Sequence, residues 1–310
     1  MMKVFIKKIV VFLVPILIVW GGLEYFYITV ESNYSYKHQI IRTSYDDIET
    51  LILGDSHAFF GINPEYLDIK ALNLSNISQS LYFDQLLFEK HVDSLSNLQN
   101  VIITIGYYSL SQLKNTKEDV WRKYFYRSQM ELDVPIIGPF DFKKYSLSMT
   151  RRFDNSVSLI HKYLEKGTII GCDANGWGTY YENTSGELLD IESKATAERH
   201  EDFLLNFEEN IIRLQSIIAY CKKINCNVYL VDMPVYKGYL ELLDSNKLEK
   251  ITSSCNDLAT NNNNVMYIDL RQDSRLEKSD LYDPDHLNHK GAKKYTKIIN
   301  AIISDPKNDD

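Results

Sequence analysis

Five short apolar runs, separated by stretches of helical spacing, set the narrowest limit on how this chain folds. Ile48-Glu49-Thr50-Leu51-Ile52-Leu53, Ala71-Leu72-Asn73-Leu74, Val101-Ile102-Ile103-Thr104-Ile105, Val228-Tyr229-Leu230-Val231 and Val265-Met266-Tyr267-Ile268 each read as a strand. The third is almost wholly apolar, which marks a strand covered on both faces, as in a parallel sheet. Residues 80–95 carry apolar side chains three or four apart (Leu81, Leu86, Leu87, Val92, Leu95), as do residues 203–224 (Phe203, Phe207, Ile211, Leu214, Ile218). Such spacing predicts helices, and 240–258 and 295–303 read the same way. Strands alternating with helices imply an α/β fold with helices on both faces of a five-stranded parallel sheet. That is a flavodoxin-like, three-layer α/β/α arrangement. Ligands in such sheets bind beyond the carboxyl ends of the strands.

The first thirty residues are of another kind. Lys3, Lys7 and Lys8 precede an uncharged run from Ile9 to Leu23; Glu24 interrupts it and Tyr25-Phe26-Tyr27-Ile28 continue it. A bilayer-spanning helix needs roughly 20 mostly apolar residues, which 9–30 supplies. Lysines before the run and aromatics after it match a positive-inside, aromatic-belt pattern. The expectation is an uncleaved single-pass membrane anchor over 1–30, with the remainder on the extracytoplasmic side. A cleaved signal peptide is the rival, but those end in small residues at an A-x-A-like site, and the first alanine here is Ala58. A buried helix is the third reading.

Apolar residues make up 45% of the chain and charged residues 25%, enough for a real core and unlike a disordered chain. The net charge is −8, and it becomes −10 without the first thirty residues, which hold three lysines and one glutamate. No basic run appears, which excludes a nucleic-acid binder. Cys172, Cys221, Cys226 and Cys255 match no zinc spacing. Disulfides, with three connectivities if all pair, and free thiols both stay open.

Gly54-Asp55-Ser56-His57 directly follows the first strand. A serine on a tight strand-to-helix turn exposes its hydroxyl near a helix N-terminus, where negative charge is stabilised. The plain reading is a helix N-cap. Far downstream stands Asp283-Pro284-Asp285-His286-Leu287-Asn288, then Gly291-Ala292. In one helical turn, residues three apart share a face. Asp283 then orients His286, whose other nitrogen takes a proton from Ser56, the nucleophile–base–orienter logic. Asp285 is expected to point elsewhere, towards solvent. A capped helix-entry turn and a metal site at His286 and His289 are the alternatives.

Gly-Asp-Ser after the first strand, paired with Asp-x-x-His before the last helix, resembles the SGNH (GDSL) hydrolase superfamily over residues 48–303, apart from the central insert. Asp-His-Leu-Asn-x-x-Gly-Ala further resembles its membrane-anchored members, the alginate O-acetylation proteins and the teichoic acid D-alanyl transfer protein. The resemblance implies a flavodoxin-like fold, acyl-ester chemistry in a bacterial envelope, and the triad Ser56, His286, Asp283. It also implies oxyanion donors after the second and third strands, where this chain departs from the pattern. Ser78 stands where glycine is usual, with Asn76 beside it. Gly106 is kept, but Tyr108 replaces asparagine. Ser78, Asn76, Gly106 and Tyr108 are therefore the oxyanion and substrate-binding candidates, with Tyr108 also readable as pocket wall.

The resulting division is an anchor at 1–30, a stalk at 31–46 and a catalytic domain at 47–310 with an insert or lid at 107–199. The insert holds Trp121, Arg122, Arg127, Arg151, Arg152 and Asn175-Gly176-Trp177-Gly178-Thr179-Tyr180-Tyr181. Insertions over strand ends often shape substrate sites, yet each of these residues taken singly reads as structural. The leading expectation is an esterase or O-acyltransferase, for acetyl above all, acting on a surface polysaccharide. It needs no cofactor and no metal, and a membrane acyl-exporting partner is compatible with it. A non-catalytic glycan-binding or assembly protein on a degenerate form of the fold is the alternative. A secreted lipase is disfavoured by the polar, tyrosine-rich loops.

Overall fold

The computed structural model describes residues 2–113, 119–184 and 186–304. Two units are distinguished: Met1–His38 with Lys117–Ile170, and Gln39–Thr116 with Gly171–Asp310. Residues 107–199 are thus shared between them. Positions 114–118 and 185 of that segment, and 305–310 of the segment 47–310, lie outside the described residues.

The larger unit carries the sheet. Its strands are β1 (Thr50–Leu53), β2 (Ala71–Asn73), β3 (Asn100–Thr104), β4 (Asn227–Asp232) and β5 (Val265–Asp269). They pair in parallel in the order β2-β1-β3-β4-β5, the flavodoxin-like order. Ile52, Ile102, Tyr229 and Met266 fall in register across four strands. Ile52, Ile102, Tyr229, Val231 and Ile268 pack in one core with Ala58 and Ile62 near one helix and Tyr295 and Ile299 of another. Leu51, Leu53, Val101, Ile103, Val228 and Leu230 alternate with them and are equally buried, so both faces are covered. Each such side chain contributes about 1.5–3 kcal/mol on burial. This explains why the β3 run reads as apolar throughout.

Gly54 turns the chain out of β1. Its φ of 126° is closed to other residues, and a Cβ there would stand 2.1 Å from Thr104 Oγ1. Its N–H donates to Asp84 Oδ1 at 2.8 Å. The helix Ser56–Gly61 starts two residues later, with Asp55 accepting from His57 N.

Several boundaries differ from the periodicity. The helix expected from 203 begins at Glu208. Phe203 is 86% exposed with φ 56°, and the Glu201 and Asp202 carboxylates accept the N–H groups of Phe203 and Leu204 at 2.7 and 2.9 Å. Local side-chain acceptors hold that stretch outside the helix. The 240–258 helix is two helices, Lys237–Leu240 and Ser245–Asn261, the second capped by Asp244. The last helix starts earlier, at His289, capped by Asn288. The segment 31–46, expected as a stalk, contains the helix Asn33–Thr43, with Tyr34 and Ile41 buried. A helix unforeseen in the sequence, Leu189–His200, lies in the former insert.

The smaller unit holds the helix Met2–Thr29, long and apolar enough to cross a membrane, a property shared by anchors and signal sequences. An aromatic cluster of Tyr27, Tyr34, Trp121, Phe125 and Tyr126 packs beside its end. Here Arg151 lies over Trp121, Arg122 bonds Asp119 and Tyr34, and Arg152 pairs with Asp154. Arg122 and Arg151 are thus engaged within the unit, whereas the Arg152 pair is exposed. Cys221, Cys226 and Cys255 are buried thiols and Cys172 a half-buried one.

Candidate active site

Ser56, His286 and Asp283 form one hydrogen-bonded chain at the carboxyl end of β1. Ser56 Oγ lies 2.7 Å from His286 Nε2. His286 Nδ1 lies 2.9 and 3.0 Å from the two Asp283 oxygens. A proton on Nδ1 shared with Asp283 leaves Nε2 to accept from the serine hydroxyl. Asp283 and His286 do not share a helical turn. They face each other across a two-stranded hairpin, β6 (Leu281–Asp283) with β7 (His286–Leu287). Asp283 Oδ1 also accepts the Asp285 and His286 N–H groups at 3.1 and 2.9 Å, which locks the turn.

Asp285 overturns its expectation. It does not reach solvent; its side chain is fully buried. Around it stand His286 Nδ1 at 3.4 Å, His200 Nε2 at 3.6 Å, His57 Nε2 at 3.8 Å and Arg199 at 3.9 Å. None of these is a direct hydrogen bond, so the carboxylate is held by charge. His57 stacks on His286 with centroids 5.1 Å apart and bonds Asp55 at 2.9 Å through Nδ1. His200 Nδ1 is bonded to the Tyr239 hydroxyl at 2.9 Å.

The charges follow from this packing. Burial alone drives the His286 imidazole down, but Asp285 and Asp283 outweigh it and hold His286 well above the usual histidine range. Burial opposes His57 likewise, and Asp55 reverses it upward. For His200 burial wins, down to about 4, so it is neutral. Burial raises Asp285, but the surrounding imidazoles, His286 first, bring it well below the carboxylate range.

The middle candidates divide. Tyr108 has its hydroxyl against Ser56 and its ring 5.0 Å from His200 and 6.2 Å from His57. Burial first, then Asp55 and Asp285, keep that phenol protonated. Ser78 has φ 54°, the left-handed conformation glycine favours, so the loop keeps the glycine geometry without the glycine. Asn76 is buried: its N–H donates to Gly54 O at 3.3 Å and its Oδ1 accepts from Ile77 N. Gly106 donates its N–H to Ser109 Oγ at 2.8 Å, and a Cβ there would be 3.2 Å from His57 Cε1. It lies against the His57 ring.

Two alternatives can be tested on geometry. His289 does not join His286: it bonds Thr179 O at 2.9 Å and lies on Trp177. His57, Asp285 and His286 do place donor atoms within 4.8 Å of one another. Yet the His286 nitrogen nearest Asp285 is the one bonded to Asp283, and a cation there would displace the proton that completes the chain. The aromatics 177–181 are also committed. Trp177 donates to Phe60 O at 2.7 Å, and Tyr181 is stacked between Phe60 and Tyr282 at 3.6 and 3.9 Å. A groove of about 500 Å³ runs along Asp283, Tyr282, Thr184, Leu189, Glu192 and Arg199.

His57, His200 and Asp285 were missed as site residues. His57 and Asp285 adjoin the motif residues, which was a usable signal; His200 had none.

No family model and no curated protein matches the chain. Among solved structures it is similar to a protein assigned as a platelet activating factor from Streptococcus pneumonia, with 13% identity, 86% of this chain and 91% of that one covered, and a TM-score of 0.42. It is also similar to a protein assigned to the G-D-S-L lipolytic family from Desulfitobacterium hafniense (12%, 82% and 99%, 0.40). A catalytic mutant of an acetylxylan esterase from Geobacillus stearothermophilus is a third (10%, 84% and 95%, 0.38). Likeness at this level decides neither reaction nor substrate, which rest on the site itself.

Proposed function

We propose that this chain is a serine-dependent, ester-acting enzyme of the SGNH type, an O-acyl esterase or O-acyltransferase with acetyl as the acyl group. The observation that carries the reading is the Ser56–His286–Asp283 chain at 2.7 and 2.9 Å. Ser56 Oγ attacks the ester carbonyl as its proton passes to His286 Nε2. The oxyanion is met by the Ser56 and Ser78 N–H groups and the Tyr108 hydroxyl. His286 then protonates the leaving alcohol, and the acyl group stays on Ser56. Water or a sugar hydroxyl attacks next, giving acid or new ester and returning the proton to Ser56.

The groove beside Asp283, with Glu192, Arg199 and Thr184, suits a polar alcohol such as a glycan better than a lipid chain. The apolar helix Met2–Thr29 supports an envelope location, with the enzyme held on the extracytoplasmic side by this anchor and near a membrane partner that supplies acyl groups. The altered oxyanion positions favour one second reading, a glycan-binding protein without turnover. The test is hydrolysis of 4-nitrophenyl acetate and of an acetylated glycan by the detergent-solubilised full chain, beside fluorophosphonate labelling. Labelling and turnover that both vanish in Ser56→Ala support the enzyme. Equal rates for the two proteins and no labelling support the binding protein. A sugar acceptor that captures the acyl group distinguishes transfer from hydrolysis.

A further inference from the structure

The smaller unit carries a run of exposed apolar side chains in a segment hydrogen-bonded to the apolar helix. Phe140 is 85% exposed, Phe142 and Tyr145 73%, Phe153 61% and Met149 55%. Isolated exposed apolar residues need no explanation, but a contiguous set of large ones does. These five lie within fourteen residues, around a segment tied to the helix at one level. Glu24 accepts the N–H groups of Leu147 and Ser148 at 3.1 and 3.0 Å and the Ser146 hydroxyl at 2.6 Å. Trp20 Nε1 donates to Ser146 Oγ at 3.1 Å. The one acid in the apolar run is therefore the joint between helix and collar. Below it, Phe26 and Tyr27 are buried, against Tyr163 and Phe125.

That joint shortens the helix available to lipid. The uncharged stretch between Lys8 and Glu24 is Ile9 to Leu23, which rises about 22 Å at 1.5 Å per residue. The hydrocarbon core is about 30 Å thick. The segment's bonds reach the helix at Trp20 and Glu24, at the end of the uncharged stretch, and Tyr25 and Ile28 on the helix are exposed. Lys143 and Lys144 share the turn of Phe142 and Tyr145, and Lys144 lies over the Tyr145 ring at 5.1 Å. Aromatic rings interleaved with lysine are the composition of membrane–water interfaces.

We propose that residues 140–153 form a second membrane contact: a monotopic collar around the helix, with Phe140, Phe142 and Tyr145 set into the headgroup–acyl boundary of the bilayer. The collar fixes the smaller unit against the lipid surface. This rests on the membrane-anchor reading and is independent of the ester chemistry.

The test uses the full chain in phosphatidylcholine–phosphatidylglycerol vesicles, with lipid brominated near the carboxyl end of the acyl chain as quencher. Phe142→Trp and Tyr145→Trp each add one emitter to the three native tryptophans, and Phe203→Trp in the larger unit serves as an equally exposed control. Brominated lipid should roughly halve the added emission at 142 and at 145, as expected for rings about 5–10 Å into the boundary, and leave that at 203 unchanged. Unquenched emission at 142 and 145 from protein that still floats with the vesicles overturns the collar while leaving the anchor intact. Equal quenching at 203 also overturns it, because lipid contact would then not be selective. Failure of the parent protein to float with the vesicles removes the anchor reading and the collar with it.

Discussion

Replacing Tyr108 by phenylalanine isolates the least conventional part of the proposed mechanism. The change deletes one oxygen and leaves the ring against His57 and His200. Its cost to the fold is that of one hydrogen bond, about 1 kcal/mol. Its cost to the reaction is much larger if the hydroxyl meets the oxyanion. Removing one such donor lowers kcat by roughly 10²–10³-fold, or about 2.7–4 kcal/mol. Tyr108 is suited to that work because burial, Asp55 and Asp285 all hold its phenol protonated, so it remains a donor across the pH range of any assay. The measurement is kcat and KM on 4-nitrophenyl acetate, with circular dichroism and melting to show the fold unchanged. The donor acts on charge that develops only in the transition state, so kcat should fall and KM change little. A kcat within about threefold of the parent, in a preparation where Ser56→Ala is inactive, refutes the assignment: a donor at the oxyanion is worth far more than that. Tyr108 would then be pocket wall.

Ser56→Ala should lower turnover by roughly 10³-fold or more and abolish fluorophosphonate labelling; labelling that persists would place the nucleophile elsewhere. Asp285→Asn should move the rise of kcat/KM to lower pH. His286 must be neutral to take the serine proton, Asp285 helps hold it protonated, and removing that charge frees the base at lower pH; a superimposable profile would sink the argument. Asp84 is a buried carboxyl pushed up from 3.8 to about 7, chiefly by burial. A raised acid binds its proton more tightly in the folded state, so its contribution to stability is greatest below about pH 4 and is lost as pH rises to about 7. Asp84→Asn should match the parent near pH 4 in urea unfolding and exceed it near pH 8, with an upper bound of about 4 kcal/mol. A difference that does not change with pH would refute the buried-acid account.

The fold was legible because its information is local. A parallel strand buried on both faces must be apolar residue after residue, and β3 and β4 are. The proposed triad residues stood out for a related reason: Ser56 follows a strand, and Asp283 and His286 lie in a hairpin just before the last helix, where the chain punctuates itself with Gly54, Pro284 and the Asn288 cap. What the sequence did not show depends on contacts between distant segments. Asp285 looked solvent-bound because it was placed on a helix; in this hairpin the turn residues Pro284 and Asp285 are buried. His200 ends a helix with almost no amphipathic pattern, so nothing local marks it. Phe203 kept the helical spacing while its backbone was diverted by two neighbouring carboxylates.

Asp285 also decides what kind of base His286 is. Three carboxylates (Asp55, Asp283, Asp285) face two imidazoles held above their usual range (His57, His286), with His200 neutral. A triad with one carboxylate stabilises the imidazolium that forms in the transition state; here a second, buried one lies 3.4 Å from the same nitrogen. The same charge therefore acts in two directions. It favours proton transfer from Ser56 and stabilises the cation during attack, yet it also retains a proton on His286 before substrate arrives. His57, stacked at 5.1 Å and held up by Asp55, is in turn lowered by the charge on His286. The pair of stacked imidazoles and the buried carboxylate beside them thus set one balance, on which both half-reactions of the proposed mechanism draw. Attack on the acyl donor and attack by water or sugar on the acyl-serine each begin with neutral His286. In the proposed mechanism the base therefore does not distinguish hydrolysis from transfer, and that choice falls to what the groove beside Asp283 admits.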